Sequence, residues 1–167
     1  MKRLMWGKAL AAIAKKTGTT YGEFKVLPEI VENSTSLTTT KGEKKEAKVE
    51  GGGVEAVRYS KNTYGLVLDI RRGKVGDEII TFPFEEVDGV VDGIYYLRVQ
   101  PEDKEAGGIS VEEVIISTED TFTPAEGAIK RITFDFIKHE VGDDGKEVET
   151  INWDPIPNLT APLTADP

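Results

Sequence analysis

Thr63-Tyr64-Gly65-Leu66-Val67-Leu68-Asp69-Ile70-Arg71-Arg72 alternates along almost its whole length. Tyr64, Leu66, Leu68 and Ile70 fall on one side, and Gly65, Val67, Asp69 and Arg71 on the other. A side-chain period of two belongs to a strand with one face buried. Upstream, Lys44 to Glu50 alternates more weakly, with Ala47 and Val49 opposed to Lys44, Glu46, Lys48 and Glu50. Gly51-Gly52-Gly53 and a short apolar–polar run separate the two segments. The pattern predicts a pair of long antiparallel strands with one face on a core and one heavily charged face.

Further strands are expected at Glu78–Phe82, Ile94–Gln100, Ile109–Ser117, Ala128–Lys138 and Glu147–Trp153. Turn signals separate them every eight to twelve residues. Asp88-Gly89, Asp92-Gly93 and Gly142-Asp143-Asp144-Gly145 read as tight turns, and Glu119–Gly127 as a loop holding Pro124. Trp6–Lys15 fits either a short helix, on alanine content, or a strand. Phe84–Asp88 has room for one helical turn. The fold class is therefore mainly β, an antiparallel β-sandwich or barrel with at most one short flanking helix. One domain spans residues 1–153. Residues 154–167, with Pro155, Pro157, Pro162 and Pro167, form a tail that suits neither helix nor central strand.

Composition removes several chemistries. The 167 residues are 31% charged and 38% hydrophobic, within the range of soluble domains. No run of twelve apolar residues occurs, so no membrane-spanning helix is expected. At the start, Lys8 interrupts the apolar run after Leu4-Met5-Trp6, which leaves too short a stretch for a secretory leader. Cysteine is absent, which excludes disulfides, thiolate nucleophiles and thiolate metal sites. A net charge of −9 opposes general affinity for nucleic acid or an anionic membrane.

The single histidine, His139, has no nucleophile or carboxylate partner evident in the sequence and reads as an edge residue. Asp88, Asp92, Asp143 and Asp144 lack the spacing of a calcium loop and read as turn formers. Gly51-Gly52-Gly53 is not followed by the Gly-Lys-Ser/Thr of a phosphate loop. No cofactor, metal or catalytic residue is expected. Lys44, Lys45, Glu46, Lys48 and Glu50, with Asp69 and Arg71, remain as a candidate surface whose charges could fix register against a neighbour.

Several stretches resemble a known family. They are Trp6-Gly7-Lys8, Ser34-Thr35-Ser36-Leu37-Thr38-Thr39-Thr40-Lys41-Gly42, Glu46-Ala47, Glu50-Gly51-Gly52, Glu55-Ala56 and Lys61-Asn62-Thr63-Tyr64. Leu97-Arg98-Val99-Gln100-Pro101-Glu102-Asp103 and Thr133-Phe134-Asp135-Phe136 extend the likeness. Together they are similar to the major tail tube proteins of long-tailed bacteriophages and prophages. That resemblance implies β subunits with a flanking helix or helical turn, joined into six-fold rings that stack into a tube. Strands from each subunit would join one larger barrel around a lumen, through which DNA passes without specific binding. It also implies a location in the virion tail after synthesis in the bacterial host cytoplasm, and contact with other tail proteins. The same seven residues then become candidates to meet neighbouring subunits or line the lumen. Two other readings stand beside it: a surface adhesin or binding module of β-sandwich type, and the tube protein of a contractile injection machine.

Overall fold

The computed structural model describes residues 7, 9–18, 20–31, 34–75, 78–102, 108–137 and 150–153. Its strands in chain order are β1 (Leu10–Thr17), β2 (Thr20–Tyr21), β3 (Lys25–Val26), β4 (Ser36–Thr40), β5 (Lys44–Lys48), β6 (Val54–Tyr59) and β7 (Thr63–Arg71). They continue with β8 (Lys74–Val75), β9 (Glu78–Ile79), β10 (Glu86–Val87), β11 (Val90–Val91), β12 (Tyr95–Gln100), β13 (Ile109–Thr123) and β14 (Gly127–Phe136). Among the described residues there is no helix, so the fold is mainly β without the expected flanking turn of helix. Phe84 instead enters the core, while Glu86 and Val87 pair as a strand with Val91 and Val90.

One antiparallel sheet runs in the order β2-β1-β12-β13-β14-β7-β4, with β3 added on β1 and the β10–β11 hairpin added on β13. Alternation places its core side. In β7, Leu66, Leu68 and Ile70 are buried, with Tyr64 packed against them, as the sequence predicts. In β14, Ile132, Phe134 and Phe136 do the same. The sheet curls, because Ala11 and Ile13 of β1 share one core with those residues although three strands separate β1 from β7. The segment after β3 links the two ends. Leu27 N donates to Ala11 O of β1, and Val31 N donates to Asp69 O of β7, each at 2.8 Å.

Residues 10–17 resolve the helix-or-strand question as strand, and the reason is burial on both faces. Ala12 and Ala14 point away from the main core into a second cluster with Phe24, Tyr21 and Tyr96. A helix over this stretch would lose the ladder to β12, in which Ile13 faces Leu97. Small alanine side chains let the β2–β3 segment pack closely over that outer face.

Several expected boundaries move, and the expected Glu78–Phe82 strand is strand only over Glu78–Ile79, before Pro83. β13 continues through Thr123, so most of the expected Glu119–Gly127 loop is strand, and only Pro124-Ala125-Glu126 turns. Gly127 takes φ 79° there, the left-handed residue that closes a three-residue hairpin loop. Asp88-Gly89 is the tight turn predicted, with both residues at positive φ. Asp92-Gly93 is not a hairpin, since β11 and β12 do not pair with each other. Trp6, His139, the Gly142–Gly145 turn, residues 147–149 of the expected Glu147–Trp153 strand and the proline-rich tail lie outside the described residues. The described residues of that stretch, 150–153, form no strand but an isolated bridge of Asn152 to Ser110, with Ile151 buried beside it.

Candidate assembly surface

Lys44–Glu50 does not pair with Thr63–Arg72. β5 pairs with β6, and β7 pairs with β4 and β14. The three glycines between Glu50 and Val54 are a hairpin loop: Gly51 and Gly52 sit at φ 96° and 90°. Positive φ at two successive residues is what a reversal requires and what glycine supplies without strain.

These pairings build a larger element. Thr40 faces Thr63, Ser60 N donates to Glu43 O, Lys44 faces Tyr59 and Ala47 faces Ala56. One register therefore runs from β4–β7 into β5–β6, and residues 36–71 form a single long hairpin. Its lower half is docked on the sheet through β14. Its upper half is a two-stranded arm that belongs to no other sheet.

Burial separates the halves. Every residue of β5 is exposed, which overturns the expectation that Ala47 and Val49 face a core. Val49, Val54, Val57 and Tyr59 are also exposed, Tyr59 to 57%. A lone two-stranded ribbon is marginal in water, and apolar side chains on it gain nothing from solvent.

The seven candidate residues are divided by the structure. Lys44, Lys45, Glu46 and Lys48 lie on β5, and Glu50 lies in the loop at its end. Lys44 Nζ and Glu46 Oε1 are 2.7 Å apart, an exposed pair of small energetic worth. Asp69 and Arg71 sit at the far end of β7, on the side away from the core, and are engaged within the chain. Arg131 Nε donates to Asp69 Oδ1 at 3.0 Å, and Arg71 Nη1 donates to Glu126 O at 2.7 Å. The arm and this outer patch are thus two places. Sequence reading missed β6, where Arg58, Val57 and Tyr59 complete the arm. The legible signal was the glycine triplet midway between two alternating runs.

Edges add a second feature. Among the described residues β4 has a partner only on the β7 side, and its residues Ser36, Thr38, Thr39 and Thr40 are exposed. Lysines along β5 guard that strand against stray pairing, but β4 has no charge and no proline.

Among the described residues, no group of three or more His, Asp or Glu side chains could hold a metal ion. Among the described residues the aromatic side chains do not form an open platform. Tyr21 and Phe24 each meet Tyr96 edge to face at 5.3 and 5.5 Å, and the Arg98 guanidinium lies 4.0 Å over the Phe24 ring. Exposed Tyr59, Phe122 and Trp153 lie on three different segments. No protein-family model matches the chain, and no curated protein matches it either.

Proposed function

We propose that this chain is a structural subunit that assembles with copies of itself into the stacked rings of a phage-type tail tube. One observation carries the reading. An arm built as an extension of the sheet leaves all of β5 and the apolar residues of β6 in water, beside an uncharged open edge at β4. Copies that pair through these surfaces would bury what a single chain leaves exposed, and ring closure removes open edges in the way a barrel does. The stretches resembling tail tube proteins support it by their position. Ser34–Gly42 is the open edge, Glu46-Ala47 and Glu50-Gly51-Gly52 are the arm, and Lys61–Tyr64 leads from the arm into β7.

In this reading the subunit has no catalytic role and takes no cofactor. Rings are six-fold, their strands join a larger barrel, and DNA crosses the lumen without specific contacts. The protein acts in the virion tail, beside other tail proteins. Lys44, Lys45, Glu46, Lys48 and Glu50 meet a neighbouring copy, while Asp69 and Arg71 belong to the outer sheet face that neighbours cover or the lumen exposes.

Negative-stain electron microscopy of the concentrated protein tests this. Rings or tubes of uniform diameter are expected, alone or with partner tail proteins. A particle that stays monomeric under all those conditions sinks the proposal.

A further inference from the structure

The arm leaves the body through a narrow waist. The register is the same on the two sides of it, Thr40 facing Thr63 and Lys44 facing Tyr59, and shifts only further out, between Ala47 and Lys48; yet no pairing connects Lys41 and Gly42 with Lys61 and Asn62. Two contacts bridge the gap: Gly42 N donates to the side-chain Oδ1 of Asn62 at 3.0 Å, and Ser60 N donates to Glu43 O at 2.8 Å. Gly42 lies against the opposite backbone so closely that a β-carbon there would stand 1.7 Å from Ser60 O and 2.9 Å from Lys61 O. Backbone on the far side cannot swing away as a side-chain end can. Any residue other than glycine must open the waist.

We infer that Gly42 and Asn62 form a fixed elbow that sets the angle between the arm and the body. The glycine allows the close crossing, and the asparagine side chain accepts from Gly42 N, which ties the two strands together at the crossing. Matching register on both sides of the waist means that no residue is inserted there, so the arm's direction is set by the close crossing and not by slack chain. Why the angle matters rests on the assembly reading. A closed ring repeats each subunit geometry, so an angular error in one arm recurs at every contact.

The absence of cysteine makes the angle measurable, because two introduced cysteines take spin labels without competition. Lys25→Cys in β3 and Glu50→Cys at the arm loop, both exposed positions, report the body-to-arm distance by pulsed electron resonance. The full-length chain is measured at a dilution where it is monomeric, so the result does not depend on tube formation. One narrow distance is expected for the labelled parent. Asn62→Asp, which keeps an acceptor oxygen, should preserve it. Gly42→Ala and Asn62→Ala should shift or broaden it while circular dichroism stays that of a folded β protein.

A broad distribution in the parent overturns the inference. So does an unchanged narrow distance in Asn62→Ala, the variant that stands if Gly42→Ala fails to fold. An elbow that behaves as expected in a chain that never forms rings would leave the geometry intact and sink the assembly reading alone.

Discussion

A lysine on the core side of a strand is the residue that most tests the packing. Lys130 lies on the same face of β14 as Ile132 and Phe134, and it is 1% exposed. Burial, and then the charge of Arg72, push its pKa below the ordinary lysine value. Two carboxylates and a ring surround it: its ammonium contacts Glu86, lies 3.2 Å from Asp120 Oδ1, and stands 5.3 Å over the Phe82 ring. Thr118 Oγ1 donates to the second oxygen of Glu86, tying the β10–β11 hairpin to β13. Removing one partner of such a pair strands the other charge. Glu86→Ala is expected to cost about 3 kcal/mol in urea unfolding, and adding Lys130→Met should recover most of it. An additive double variant would show that the two groups are not coupled. Tyr95 gives a pH prediction. Burial first, then the nearby Glu85 and Asp92 charges, raise its pKa. The folded chain keeps that proton where the unfolded chain, with tyrosine near 10, has lost it. Its contribution is thus present below about pH 10 and is lost as pH rises through the folded value. Stability should fall on the alkaline side, and Tyr95→Phe should flatten the fall.

At the scale of the element, what was legible in the sequence was strand identity and facing; what was not was partnership. The alternation in 63–71 and 128–136 marked the buried faces, because a period of two is written in the residues themselves. Pairing depends on residues far apart in sequence, and no local pattern states it. The alternation of Lys44–Glu50 therefore does not tell β7 from β6 as its partner, nor that its small apolar residues stay in water. Glu119–Thr123 looked like loop because its charged and hydroxyl residues extend past the sheet's packed region, where the ladder to β14 alone holds them as strand. The candidate surface was half legible: charge pattern found β5, but the glycine triplet was needed to add β6. These two kinds of strand predict different failures. Leu68 is fully buried in β7. Leu68→Asp places an unpaired charge there and should cost several kcal/mol, on the order of 4, enough to prevent folding by circular dichroism. Lys44→Glu with Lys45→Glu touches no core residue. That variant should melt within about 0.5 kcal/mol of the parent, as surface changes do, while losing assembly.

Over the whole molecule, charge and packing divide along the same line. Residues 41–61 carry six cationic and four acidic side chains, a net +2, which leaves −11 for the remainder of the −9 chain. A cationic ribbon on an acidic body suits contact with a second body of the same kind. A free subunit should not shift duplex DNA at physiological salt, since that needs a cationic surface able to neutralise several phosphates. Micromolar binding in a gel shift at about 0.15 M salt, where charges are screened beyond about 8 Å, would contradict this. The packing makes a sharper demand. Neither hydrophobic cluster takes a residue from between Lys41 and Asn62. Replacing Lys44–Tyr59 by a two-residue Asn-Gly turn would then remove the arm and leave the core whole, with Glu43 and Ser60 still able to close the hairpin. The shortened chain is expected to fold, to melt within about 1 kcal/mol of the parent, and to stay monomeric at concentrations where the parent forms rings. Tubes formed without the arm would assign assembly to the β4 edge or the outer sheet face instead. A shortened chain that loses cooperative unfolding would show that the arm packs on its own body.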